Sequence, residues 1–111
     1  MNDQLKKYLF DIKEAILSIE SYFQGKKQFD IYSKEKMLRR AVERELEIIG
    51  EAINRLDRID SSIEISGKNQ IIGMRNRVIH GYDKVDDEII WGIIIKNLPV
   101  LKKKVDDLLN A

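Results

Sequence analysis

The sequence predicts an all-α protein, an antiparallel four-helix bundle with short additional helical turns. Three observations predict it. Apolar residues recur at three- and four-residue steps through most of the chain, which is the period of one helix face. No segment shows a competing strand period or hairpin signal. The connections between periodic segments are short, which sets successive helices side by side and antiparallel.

The first helix is expected from about residue 3 to 23. Leu5, Tyr8, Leu9, Ile12, Ile16, Ile19 and Phe23 form its apolar stripe, with Asp3 as a plausible N-cap. Gly25 breaks the pattern, and Lys26 and Lys27 lie in a polar connection. A longer second helix is expected from about 33 to 57, capped by Ser33, with Leu38, Val42, Leu46, Ile49, Ile53 and Leu56 buried. Its opposite face carries opposite charges at helical spacing, including Glu43, Arg44, Glu47, Glu51 and Arg55. Gly50 lies inside this helix, where glycine costs ~1 kcal/mol relative to Ala. It is either tolerated or needed for close approach of a neighbouring backbone.

Residues 58–68 read as a loop. Asn69 is then expected to cap a short third helix through Ile71, Met74, Val78 and Ile79 that stops near Gly81. The fourth helix should begin near Asp86 and run to about 109, with Val85 and Ile90 placed to form a hydrophobic staple. Pro99 falls inside it, removes one backbone hydrogen bond, and predicts a kink or a break. The segment Ile89–Ile95 is apolar nearly all round, which suggests cover by a second copy of the chain.

A length of 111 residues suits one domain, residues 1–111. Charged residues make up 35% of the chain, but 20 Lys and Arg nearly cancel 19 Asp and Glu. The overall charge therefore does not mark a nucleic-acid binder, although a local patch could still hold phosphate. Without cysteine there is no disulfide framework and no thiolate metal site. One histidine cannot build a multi-histidine zinc site. No apolar run approaches the ~18 residues that span a membrane. No secretory pattern opens the sequence, so a cytoplasmic location is the expectation.

Functional groups concentrate in Arg75-Asn76-Arg77-Val78-Ile79-His80-Gly81-Tyr82. Histidine moves protons near neutral pH. Arginine binds phosphate and stabilises the charge that develops on it. Tyrosine supplies a hydroxyl and a stacking surface. These types suit metal-free RNA cleavage, in which the ribose 2′-hydroxyl attacks the adjacent phosphate. On a regular helix Asn76 and His80 share a face, whereas Arg75 and His80 stand ~140° apart. One histidine provides one proton-transfer group, and a two-fold dimer would provide two. The same residues also suit a plain helix end, with His80 against the dipole and the arginines solvated. Residue chemistry leaves both readings open.

Arg75, four intervening residues, His80, one residue and Tyr82 together resemble the signature of HepT-like toxins of the HEPN superfamily. Asn76, directly after the arginine, is similar to the broader superfamily pattern. Glu47-Ile48-Ile49-Gly50-Glu51-Ala52, Ile72-Gly73-Met74, Trp91 and Leu98-Pro99-Val100-Leu101 match in order, so the resemblance runs from about residue 5 to 109. It implies a helical bundle that dimerises with the two motifs meeting in a cleft. It implies a metal-independent ribonuclease with no cofactor, Arg75 and His80 catalytic, and Asn76 in a supporting role. RNA, as tRNA or mRNA, would be the substrate. It further implies a partner, an MntA-like minimal nucleotidyltransferase antitoxin that transfers AMP from ATP to Tyr82. A non-catalytic nucleotide-binding or regulatory subunit of a nucleotidyltransferase is the alternative that the superfamily allows.

Overall fold

The structure is a computed structural model that describes residues 2–73 and 84–111, with side chains described at all of these but 84–86. Every regular element among the described residues is helical. The helices are α1 (Asp3–Tyr22), α2 (Phe29–Lys34) and α3 (Lys36–Ile59), then helical residues 68–73 (α4), then α5 (Lys84–Gly92) and α6 (Leu98–Leu109). A π-helical turn, Ile93–Asn97, joins α5 to α6.

Helix α1 starts at Asp3 as expected, but its cap lies one residue earlier. Asn2, in extended backbone, is the N-cap, and its Oδ1 accepts from the Leu5 N–H at 2.7 Å. Asp3 instead occupies the first turn, where a carboxylate favours the positive end of the dipole. The stripe Leu9, Ile12, Ile16 and Ile19 is fully buried. After Phe23 the chain reverses through left-handed backbone at Gln24 and Gly25.

The expected second helix is α3, which starts at Lys36 rather than near residue 33, and a short helix not anticipated from the sequence, α2, precedes it. Glu35 is extended and separates α2 from α3. Ser33 does not cap α3; it lies inside α2 and donates to the Asp30 carbonyl at 3.2 Å. The Arg39 guanidinium reaches back to the Ser33 carbonyl, satisfying an acceptor at the end of α2. Periodicity missed α2 because the segment is only six residues long, too short to hold itself in water. Packing stabilises it. Tyr32 is fully buried, and Trp91 stands 5.9 Å from the Phe29 ring and 5.7 Å from the Tyr32 ring.

Contacts between side chains fix the helix directions. Arg55 near the end of α3 meets Tyr8 near the start of α1, while Glu45 meets Tyr22 at the end of α1. The two helices are therefore antiparallel. Lys13 pairs with Asp106 at 3.0 Å and Glu20 with Lys102 at 3.4 Å, which makes α6 antiparallel to α1 as well. Leu46, Ile49, Ile53 and Leu56 of α3 share the core with Leu98, Leu101 and Val105 of α6. Gly50 is buried in this face of α3.

Helix α4 also begins earlier than expected, at residue 68, so Asn69 lies within it rather than capping it. Gly67 precedes it with φ +74°, and Lys68 pairs with Asp57 at 2.9 Å. Helix α5 is described from Lys84, ahead of the expected start at Asp86. The expected end near Gly81 and the Val85 side of the staple lie outside the described residues and side chains.

Pro99 does not break the helix. Gly92 and Leu98 both hold right-handed helical backbone, so the helical path continues from α5 into α6. The accommodation is made one turn earlier, where the Leu98 N–H bonds the Ile93 carbonyl five residues back. A proline ring collides with the carbonyl four residues before it, and a wider turn relieves that contact. Pro99 itself sits in the first turn of α6, where a missing N–H costs least. Part of the apolar segment Ile89–Ile95 before it is covered by the chain itself. Ile90, Ile93 and Ile94 are buried, and Ile89 and Ile95 remain exposed.

Candidate functional site

The residues that the sequence singles out, Arg75, Asn76, His80 and Tyr82, lie outside the described residues. The structure does describe the helices on either side of them. Helix α4 leads into the signature, and α5 leads out of it.

These two flanks line a common groove of about 430 Å³. Asn69, Gln70 and Gly73 contribute from α4; Ile89, Gly92 and Ile93 contribute from α5 and the π turn, joined by Lys96 and Asn97. Asn97 Nδ2 donates to Gln70 Oε1 at 3.2 Å, tying the two sides together. A β-carbon built at Gly67 would stand 2.3 Å from that same Nδ2, so the glycine at φ +74° lets Asn97 close over the turn. Gly73 and Gly92 differ, because a β-carbon at either would meet no atom of the described residues within 4 Å. The fold therefore does not require glycine there for space. A glycine in a helix interior still costs ~1 kcal/mol relative to Ala.

A second groove, about 700 Å³, runs between α1 and α3. Glu47 and Glu51 line it, facing Lys7 and Tyr8 across the groove. Arg55 holds Glu51 at 2.8 Å and reaches the Tyr8 hydroxyl at 3.4 Å. The Arg55 hydrogen bond, with the positive charge behind it, holds the Tyr8 phenol below its usual pKa. Lys7, Arg44 and Arg55 are balanced by Asp11, Glu47 and Glu51, so this groove has no net sign. It offers little to a polyanion.

Tyr32 and Glu43 form a third notable group. Burial raises the Tyr32 phenol far above its ordinary value, and the charges of Asp87 and Glu43 add to the effect. Burial also raises the Glu43 carboxyl, opposed by Arg40 and reinforced by Asp87. The Tyr32 hydroxyl has no hydrogen-bond partner among the described residues.

Sequence reasoning did not anticipate the groove beside the signature. Asn69, Gln70, Lys96 and Asn97 are ordinary surface residues in the sequence, and folding brings them together. The available signal was Gly92, a glycine within an otherwise apolar helical segment. Among the described residues no group of three or more His, Cys, Asp and Glu could hold a metal ion. No described helix is long and apolar enough to cross a membrane.

Comparison with known proteins identifies the family. Residues 12–108 match the family described as Ribonuclease HepT-like. A Caldanaerobacter subterraneus protein named "Putative RNase" is 40% identical over 84 residues, covering 74% of each chain. A Methanocaldococcus jannaschii protein of the same name is 33% identical over 108 residues, covering 96% of this chain and 88% of the relative. "Probable ribonuclease HepT" of Thermococcus cleftensis is 36% identical over 105 residues, covering 93% and 94%. No solved structure matches the chain. A helical chain with the Arg75, His80 and Tyr82 signature, matched from its first helix to its last, belongs to the HepT-like ribonuclease family of the HEPN superfamily.

Proposed function

We propose that this ribonuclease is a single-domain toxin, residues 1–111, of a toxin–antitoxin pair, and that it cleaves RNA without a metal ion. The observation that carries the proposal is the intact signature, Arg75 with His80 and Tyr82, inside a family match spanning residues 12–108. Cytoplasmic tRNA or mRNA is the substrate class. His80 of one copy removes the proton of the ribose 2′-hydroxyl, whose oxygen attacks phosphorus. His80 of a second copy protonates the departing 5′ oxygen as the phosphorus–oxygen bond breaks. Arg75 stabilises the extra negative charge on phosphate. Asn76 supports the site. The products are a 2′,3′-cyclic phosphate and a 5′-hydroxyl. With one histidine per chain, the site is complete only in a homodimer.

Tyr82 is the off-switch in this reading. A nucleotidyltransferase antitoxin of the MntA kind transfers AMP from ATP to its phenol, releasing pyrophosphate. The added phosphodiester repels RNA phosphate and occupies its space.

The test is cleavage of RNA by the purified protein in EDTA. His80→Ala should lower the rate at least about a hundredfold, the usual worth of a positioned acid or base. Retained cleavage by that variant removes the mechanism. For the switch, intact mass should rise by AMP units when the protein is incubated with the neighbouring nucleotidyltransferase and ATP. Tyr82→Phe should abolish the rise; an unchanged mass gain in that variant excludes Tyr82 as acceptor.

A further inference from the structure

The groove between α4 and α5 has features that packing of the chain does not explain. Gly73 and Gly92 line it from opposite sides, and among the described residues no atom lies within 4 Å of a β-carbon built at either. Alanine would fit at either position and would favour the helix. Glycine at both leaves room for something flat to lie close to backbone. The π turn, a feature often found at functional sites, lines the same groove through Ile93, Lys96 and Asn97.

The lining has a specific chemistry. Ile89 and Ile93 offer apolar contact to the faces of a planar ring. Asn69, Gln70 and Asn97 carry side-chain amides, each both donor and acceptor, suited to a base edge. Lys96 is exposed and is the single ionisable residue among the described residues lining the groove, so the described lining carries a positive charge. The larger groove between α1 and α3, with three cations against three carboxylates, lacks this bias. A volume of about 430 Å³ lies within the few hundred cubic ångströms usual for small-molecule sites and accommodates one nucleotide. Gly73 stands two residues before Arg75 in the chain, a span of at most about 7 Å even when extended.

We propose that the Gly73–Gly92 groove is a subsite for one nucleotide of the RNA substrate, holding its base between the glycines and isoleucines and its phosphate on Lys96. The proposal rests on the ribonuclease reading above and adds a specificity-determining element to it. Gln70 and Asn97 read the base edge, and the glycines set the width available to the base.

The experiment measures binding separately from cleavage. A fluorescein-labelled 2′-deoxy oligonucleotide lacks the attacking hydroxyl and reports binding by anisotropy. Wild type and His80→Ala should bind it alike. Gly92→Leu, which fills the groove, and Lys96→Gln should each bind about tenfold more weakly. Lys96→Gln should also reduce the slope of log affinity against log salt by ~0.7, the value for one phosphate on a single strand. Gly92→Ala is the control for folding: it should melt higher than wild type yet bind more weakly. In cleavage assays on RNAs differing at one base beside the cut, Gly92→Ala should raise KM and flatten the base preference, leaving kcat within about twofold.

Wild-type affinity in Gly92→Leu and Lys96→Gln overturns the subsite, as does no measurable binding by wild type. A change in oligomeric state of Gly92→Leu by light scattering, with oligonucleotide affinity intact, also overturns it and assigns the groove to a second copy. If wild type binds in the expected pattern but does not cut RNA in EDTA, the catalytic reading fails and the binding groove stands.

Discussion

Tyr32 carries a polar atom into the core where the described residues offer it no partner. An unsatisfied buried hydroxyl costs about 1–3 kcal/mol. Tyr32→Phe keeps the ring against Trp91 and Phe23 and removes that cost. It should raise stability by about 1 kcal/mol in urea denaturation at neutral pH. The neighbouring Glu43 gives a pH test. Its carboxyl titrates above the usual value in the folded chain, chiefly because burial disfavours the charge. The folded state therefore holds that proton more tightly than the unfolded state. The group's stabilising contribution is complete below the ordinary glutamate pKa and is lost as pH rises through the raised folded value. Glu43→Gln should thus raise the denaturation midpoint at pH 7, with the gain fading as pH drops through the glutamate range. Asp60 has the opposite sign. Hydrogen bonds from the Ser62 hydroxyl and N–H lower its pKa, so its contribution is present above the ordinary aspartate value and lost on acidification.

Two glycines separate packing from conformation at the same scale. Gly67→Ala forces a left-handed backbone on an L residue and drives a β-carbon onto Asn97. The backbone alone costs about 1–2 kcal/mol, so the measured loss should be at least that. Gly92→Ala meets no atom of the described residues and should gain ~1 kcal/mol in the same urea titration.

Among the elements, α2 depends most on its surroundings. Six residues cannot sustain a helix alone, and Trp91 from α5 holds the Phe29 and Tyr32 rings in place while also touching Phe23. Trp91→Ala should cost about 3 kcal/mol, the lower end for loss of a large buried ring. It should also speed hydrogen exchange across residues 29–34 more than across α1. If exchange rises uniformly, α2 does not owe its helix to Trp91. The π turn makes a related point. Pro99 is visible in the sequence as a disturbance, but proline alone does not say whether a helix bends, stops or widens. Ile93, Ile94 and Leu98 are all buried, so their packing favours a continuous path with one wider turn.

For the whole molecule, the apolar segment Ile89–Ile95 reads in sequence as a partner surface, yet three of its isoleucines belong to the chain's own core. Exposed Ile89 and Ile95 are a small remainder. The stronger ground for the proposed dimer is chemical: the proposed cleavage needs two proton transfers, and the chain has one histidine. Activity per chain should therefore fall on dilution below the dimer dissociation constant, tracking oligomeric state by light scattering. Constant specific activity through dissociation would show that one chain suffices.

The helical class, the buried stripes of α1 and α3 and the spacing of Arg75, His80 and Tyr82 are all legible without coordinates. The physical reason is locality. Helical periodicity repeats every few residues, and the signature occupies eight consecutive positions. Capping was legible only to within a residue, because Asn2 and Asp3 are both competent caps and it is Asn2 that accepts from the Leu5 N–H. Tertiary structure alone decided the split between α2 and α3, the wide turn before Pro99, and the groove beside the signature. Each joins residues far apart in the chain: Phe29 with Trp91, Gly67 with Asn97, Gly73 with Gly92. Such pairings depend on how buried surfaces fit, and no local pattern encodes that fit.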